Sequence, residues 1–345
     1  MGLITDPAEA AAIYAEVRDA GATMPCYCTE NVHTLEAILG ATQQIGAELG
    51  IAEPPIVVGF TGNYAYRAQL VRYTAAGDAL EGLHAVRADL ERLVRPDGPY
   101  ANVRVMAHLD HGDPQMDAEI IEAGVGFISS VMYDCSELPL AENMERTRDF
   151  VQAMEGRMLV EGIVDEIYGP EAGTDFELTR PEDAERYVAE TGVPLIVVNV
   201  GTEHRAAAGG HALYDGARAR EIAARVGHIM CLHGASSLGE AGLGVLPGDG
   251  FVKVNIWTIL ERTGAQALAL DTLDNLGSVL SAEQVQDLAG RRIITQEHAR
   301  AQSGRTPTLD YFPHGNRRDE VWLPAVTELI VNNLRDLGYA RLGAQ

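Results

Sequence analysis

Val103-Arg104-Val105-Met106-Ala107-His108-Leu109-Asp110-His111-Gly112-Asp113-Pro114 is a short apolar run that ends in an acid, an imidazole and a glycine, followed by an Asp-Pro pair. A strand over 103–109 and a helix opened by an Asp113 N-cap with Pro114 at its first position predict a βα junction. In α/β folds the carboxyl ends of strands hold the chemistry, so Asp110 and His111 are the first candidates for a functional site.

Working outward toward the N-terminus, the Ala- and Glu-rich residues 7–20 stop at Gly21 and predict an opening helix. A strand over 24–28, a helix over 32–49 with Leu35, Ile38 and Leu39 on one face, and a strand over 54–60 make a β-α-β unit. Leu80, Leu83, Val86, Leu90 and Leu93 predict a long helical region over 64–93, broken by Pro96-Asp97-Gly98-Pro99.

Toward the C-terminus, helices over 116–123 and 140–154 alternate with strands over 126–133 and 157–164. Thr179-Arg180-Pro181-Glu182 reads as a capping box that opens a helix to Glu190. The continuous apolar run 194–200 has the pattern of a parallel strand buried on both faces, and a helix over 216–226 and strands over 228–232 and 251–256 follow.

Eight strands alternating with helices predict a closed (β/α)8 TIM barrel, because eight parallel strands can close without leaving an edge. The expected organisation is a single TIM-barrel domain over 1–345, with the barrel over about 22–280, an extra N-terminal helix and a C-terminal helical extension over about 281–345. The extension is longer than one closing helix needs and is expected to pack across the barrel or in a dimer interface.

The chain has 345 residues, 46% of them hydrophobic, enough to bury a large core. Its 50 acids against 26 bases leave a formal charge of −24, which repels polyanions and argues against a nucleic-acid partner. Cys26, Cys28, Cys135 and Cys231 are too few and too scattered for a secreted disulfide scaffold, and a reducing cytoplasm is the expected compartment. No signal-type leader and no run of about 18 apolar residues is present, so no membrane association is expected.

Four strand ends carry groups of metal-ligating or acid-base type: Asp110-His111, Glu161 with Asp165, Glu203-His204, and His233. A single such histidine is more often a satisfied rim residue. Three imidazoles on one barrel rim with an open fourth position would make a catalytic zinc site. The loop Leu232-His233-Gly234-Ala235-Ser236-Ser237-Leu238-Gly239 can hold an anion on its backbone N–H groups, and a tight turn carries comparable weight.

From about residue 25 to residue 258 the sequence resembles the class II, zinc-dependent fructose-bisphosphate and tagatose-bisphosphate aldolases, as a divergent member. The likeness rests on His108-Leu109-Asp110-His111-Gly112, Ser130-Val131-Met132-Tyr133-Asp134, Thr191-Gly192-Val193 leading to Gly201-Thr202-Glu203-His204, Leu232-His233-Gly234-Ala235-Ser236 and Lys253-Val254-Asn255-Ile256-Trp257-Thr258. It implies a (β/α)8 barrel with about one zinc per chain on His111, His204 and His233, and a monovalent cation as a further ligand.

By the same likeness Asp110 is the acid/base at the scissile bond. Asn255, Ser236, Thr258 and Gly234 contact substrate, and Glu171 in the loop 168–172 is the carbon base, with Glu166 and Asp165 behind it. The chemistry implied is aldol or retro-aldol cleavage of a ketose or keto-sugar derivative, with zinc drawing electron density from a ketone oxygen. The expected partners are a small sugar or sugar-phosphate substrate and further copies of the chain in a homodimer or homotetramer. Lys253 is the only lysine, sits inside the eighth strand and is no Schiff-base nucleophile in this reading.

Departures cluster on the phosphate side. The family's Asn-Ile-Asp-Thr reads Asn255-Ile256-Trp257-Thr258, its Gly-Gly-Ser reads Gly234-Ala235-Ser236, and no lysine follows His204-Arg205. Fructose 1,6-bisphosphate is therefore expected to be a poor substrate, with Arg205 offering a different anion contact. Trp257 reads as a packing residue and Cys28 as a small buried hydrophobe in place of an extra ligand. Competing readings are another zinc enzyme on this scaffold, an epimerase or different lyase, and a non-catalytic metal-binding paralogue.

Overall fold

The computed structural model describes residues 2–167, 178–202, 214–238, 242–307, 311 and 317–343. Its strands are β1 Leu3–Ile4, β2 Met24–Cys28, β3 Pro55–Thr61, β4 Arg104–Gly112, β5 Ile128–Tyr133, β6 Leu159–Ile163, β7 Leu195–Val197, β8 Met230–Leu232 and β9 Phe251–Ile256. Strands β2 to β9 pair in chain order and β9 returns to β2, all in parallel. The result is the closed (β/α)8 barrel that the alternation predicts. Closure sets Met24 beside Lys253 and Cys26 beside Asn255, which brings the two ends of the barrel sequence together at one site.

Strand β1 is the extra strand, and its two residues are too short for any periodicity to show. Leu3 pairs with Val105 and Ile4 with Met106, while β5 joins β4 from Ala107 onward, so β1 fills the edge that β5 leaves at the foot of the barrel. The opening helix Pro7–Asp19 follows, with Asp6 accepting from Ala8 N.

Three local expectations are corrected. The helix over 64–93 is two helices, Gln69–Tyr73 and Ala79–Val94, because Gly77 turns left-handed at φ 71° and Asp78 caps the second helix by accepting from Glu81 N. Residues 62–68 are thereby a loop at the barrel mouth. Asp113 does accept from Gln115 N and Met116 N, both at 2.7 Å, but it closes a turn, and the helix begins at Ala118.

The capping box at 179–182 does not form either. The Thr179 hydroxyl donates to Asp165 Oδ2 at 2.7 Å and accepts from Asn199 N at 2.8 Å, tying the ends of β6 and β7 together, and the helix Pro181–Thr191 starts without a side-chain cap. A true capping box stands at Ser281 and Gln284, opening Ala282–Gly290.

Beyond β9 the chain runs through the helix Thr258–Asp274 into a segment with its own small apolar cluster of Leu276, Val285, Ala289 and Ala299. The last long helix, Leu323–Asp336, packs against Val32–Leu49 on the barrel wall. No helix among the described residues is long and apolar enough to cross a membrane.

Candidate metal centre and cleft

Strand β4 ends in a bulge. Leu109 pairs with Val131 and Gly112 with Tyr133, so β4 spends three steps where β5 spends two, and His111 adopts φ 50°, in the left-handed region. Consecutive strand residues ordinarily point to opposite faces; a bulge with a positive φ re-aims one of them. Asp110 and His111 consequently reach the same mouth.

His233, one residue past β8, meets them there. One ligand atom from each of Asp110, His111 and His233 lies within 4.8 Å of the others, and all three side chains are buried. The two imidazoles stand edge to face with centroids 5.0 Å apart. His233 Nε2 is 3.8 Å from Asp110 Oδ1 and 3.6 Å from Glu161 Oε1.

His111 Nδ1 is 2.7 Å from Asp134 Oδ2, and a carboxylate can only accept, so the ring carries a hydrogen on Nδ1 and only Nε2 can offer a lone pair to a metal. Asp134 is itself held by Ser136, whose N and Oγ donate to Oδ1 at 3.1 Å and 2.7 Å. Burial pushes the Asp134 carboxyl up, but His111 and Ser136 outweigh it and hold it well below the usual range. A carboxylate behind an imidazole is how proteins orient a metal-ligating histidine. This donor set of buried imidazoles and a carboxylate suits a borderline divalent metal ion.

Asp110 is gripped on both oxygens. Asn255 Nδ2 donates to Oδ1 at 2.8 Å, and the Cys28 thiol donates to Oδ2 at 3.5 Å. Burial raises the Asp110 carboxyl, while His111, His233, His108 and Lys253 pull it down to a net value of about 2. The neighbouring Cys26 thiol and burial hold Cys28 protonated, so it serves Asp110 as a donor. Room for both thiols comes from Gly59 on β3, where a Cβ would lie 2.6 Å from Cys26 Sγ and 2.8 Å from Cys28 Sγ.

Beneath the mouth runs a buried polar chain. Lys253 Nζ donates to Glu161 Oε2 at 2.7 Å and lies 3.0 Å from His108 Nε2, which must accept because an ammonium has no lone pair. His108 then donates from Nδ1 to Ser130 Oγ at 2.8 Å. Burial and Lys253 hold His108 neutral, lowered to about 3.

Asp110, His111, His233, Gly234, Ser236, Asn255 and Thr258 all line one cleft, so the structure gathers seven of the sequence-derived candidates. Glu171, His204 and Arg205 lie outside the described residues. Glu166 lines a neighbouring cavity with Asp134 and Glu137, and burial followed by those two charges raises its carboxyl. Asp165 is engaged by Thr179.

Tyr64, Tyr66 and Arg67 also line the cleft and carried no signal, because the sequence places them in a helix. Tyr64 lies flat on His111, with centroids 4.3 Å apart and planes at 8°. Trp257 is in the cleft wall, and the Arg67 guanidinium lies over its ring.

The family model described as fructose-bisphosphate aldolase class-II matches residues 8–302. The chain belongs to the class II fructose-bisphosphate aldolase family. Among solved structures, a fructose-bisphosphate aldolase from Campylobacter jejuni is 18% identical, covers 97% of this chain and 95% of its own, and superposes with a TM-score of 0.71. The YdjI aldolase from Escherichia coli K12 is 17% identical over 95% of this chain and 96% of its own, with a TM-score of 0.64. At these identities the likeness to solved structures is one of fold. Family membership and fold agree with a divergent member of an aldolase lineage.

Proposed function

We propose that this chain is a zinc-dependent class II aldolase that makes or cleaves a ketose or keto-sugar derivative other than fructose 1,6-bisphosphate. The observation that carries the reading is the convergence of Asp110, His111 and His233 within 4.8 Å at the mouth of a barrel of this family. His111 and His233, with His204 as third ligand, would hold the zinc, which when bound supplies a Lewis acid for a ketone oxygen.

The chain's own residues do the proton work. Asp110, ionised at neutral pH and aimed by Asn255 and Cys28, takes the proton of the hydroxyl on the carbon beyond the scissile bond. That carbon becomes the carbonyl of the leaving aldehyde, and the electron pair of the broken carbon–carbon bond stays with the ketone fragment. Glu171 returns a proton to its carbon. The Asn255 Oδ1 atom is buried with no hydrogen-bond partner among the described residues, and it offers an acceptor for a substrate hydroxyl.

The substrate envelope supports a departure from fructose 1,6-bisphosphate. Trp257 puts an indole, and Ala235 a methyl group, into the cleft wall where the family has an Asp and a Gly. Removing one charge-assisted hydrogen bond to a phosphate costs about 1.5–3 kcal/mol, and removing several together changes the preferred substrate.

A retro-aldol screen of zinc-loaded protein against ketose mono- and bisphosphates and unphosphorylated keto-sugars, read by NMR for two carbonyl fragments, tests both parts. Release of two fragments supports an aldolase, whereas isomerised product alone would make it an epimerase. Turnover of fructose 1,6-bisphosphate with kcat/KM above roughly 10⁴ M⁻¹s⁻¹, the lower end of ordinary efficiency, would overturn the substrate assignment.

A further inference from the structure

The loop 62–68 delivers to the cleft an arginine that is already held in place. Arg67 Nε donates to Glu30 Oε2 at 2.7 Å, Nη2 donates to Glu30 Oε1, and the guanidinium carbon sits 5.1 Å from the centroid of the Trp257 ring. The loop beneath it is stapled at its base. Thr61 N donates to Gln69 Oε1 at 3.0 Å, Gln69 N donates to Thr61 Oγ1 at 2.9 Å, and Thr61 Oγ1 donates to the Arg67 carbonyl. Asn63 N donates to Asp117 Oδ1 at 2.7 Å.

A carboxylate along one edge and an indole under the plane remove the rotamer freedom that an arginine ordinarily loses on binding. The Nη1 side is different. Nη1 makes no hydrogen bond among the described residues, the side chain is 32% exposed, and it lines the same cleft as Asp110, Asn255 and Thr258. An oriented guanidinium edge facing a ligand cleft recognises an oxyanion.

The surrounding charges narrow the class of oxyanion. Glu30 already neutralises Arg67, and Glu261, bonded by Thr34 Oγ1 at 2.8 Å and Asn31 Nδ2 at 3.3 Å, adds a second carboxyl beside the pair. One cation shared with two carboxyl groups repels a phosphate dianion more than a carboxylate.

We propose that Arg67 is a specificity-determining residue that binds a terminal carboxylate of the substrate through its Nη1 edge, with Glu30 and Trp257 holding it in place. The assignment rests on the aldolase reading for the orientation of substrate, ketone at the metal centre and carboxylate toward Trp257. Its test is equilibrium binding and needs no turnover, so a chain that binds as described but cleaves nothing would sink the aldolase reading alone.

The probes are 5-hydroxylevulinate, a hydroxyketone ending in a carboxylate, its uncharged counterpart 1-hydroxybutan-2-one, and dihydroxyacetone phosphate. Dissociation constants are measured by ligand-observed NMR on zinc-loaded wild type, Arg67→Met and Glu30→Gln, each checked for metal content and Tm. In wild type the carboxylated probe should bind more tightly than the uncharged one, and Arg67→Met should shrink that ratio by about 10- to 100-fold, the size of one charge-assisted contact. Glu30→Gln should improve the phosphorylated probe relative to wild type, because the guanidinium is no longer neutralised. A ratio unmoved by Arg67→Met, or a loss confined to the phosphorylated probe, overturns the proposal. If Arg67→Met fails to fold, Glu30→Gln decides the matter, and an unimproved phosphorylated probe then counts against it.

Discussion

Lys253 Nζ lies 2.7 Å from Glu161 Oε2, and both side chains are wholly shut off from solvent inside the barrel. Burial opposes each charge and is the largest single effect on either, yet Lys253 together with the imidazoles of His233 and His108 holds the Glu161 carboxyl down, and Glu161 together with the other buried groups around it holds the Lys253 ammonium up. Breaking such a pair leaves one uncompensated buried charge. Lys253→Met is therefore expected to cost about 3–5 kcal/mol in urea denaturation, and Lys253→Met with Glu161→Met to cost less than either change alone. A single variant that loses under about 1 kcal/mol would show that water already reaches the pair.

Metal content tests the centre directly. His111→Ala and His233→Ala should each strip most of the zinc from a wild type that holds about one per chain, as read by elemental analysis. Asp134→Ala leaves both imidazoles in place but removes the acceptor at His111 Nδ1, and should weaken zinc affinity by about 10- to 100-fold. Full metal in both histidine variants would refute the assignment.

Asp110→Asn should retain zinc and the fold while lowering turnover by about two to four orders of magnitude, the contribution of a positioned acid/base. Measuring metal alongside kcat separates the roles. Zinc lost together with activity would make Asp110 a ligand, in line with its place among the converging donor atoms.

Glu261 supplies a pH test away from the metal. Burial, then the Glu30 charge, raises its carboxyl above the ordinary 4.5. The folded state thus binds its proton more tightly than the unfolded chain, and stability falls as pH rises from the unfolded value through the folded one. Glu261→Gln keeps the acceptor for Thr34 and Asn31, so it should be more stable than wild type at pH 7 and level with it near pH 4. Equal denaturation midpoints at both pH values would contradict the charge account.

Much of this molecule is legible along the chain alone. The apolar runs and their Gly and Pro breaks locate the eight barrel strands and place Asp110, His111 and His233 near strand ends, although the bulged β4 runs on to Gly112, past the residue 109 at which the pattern stops it, and Asn255 is singled out only by the family likeness. The helix over 64–93 fails because that pattern is short-range. Its apolar spacing is genuine from 79 onward, while the loop 62–68 is held by Gln69, Asp117 and Glu30, partners no local pattern reveals.

By itself, then, the sequence determined the order of the eight barrel strands and the acid and imidazole groups near their ends, since both follow from neighbours along the chain. Tertiary structure alone decided which of those groups meet. The bulge at 110–111 that turns His111 toward His233, the pairing of Glu161 with Lys253 across 92 residues, and the seating of Arg67 between Glu30 and Trp257 all depend on the register in which β9 closes onto β2 and β4 meets β5. A register is set by the packing of the whole barrel, and no single stretch of sequence carries it.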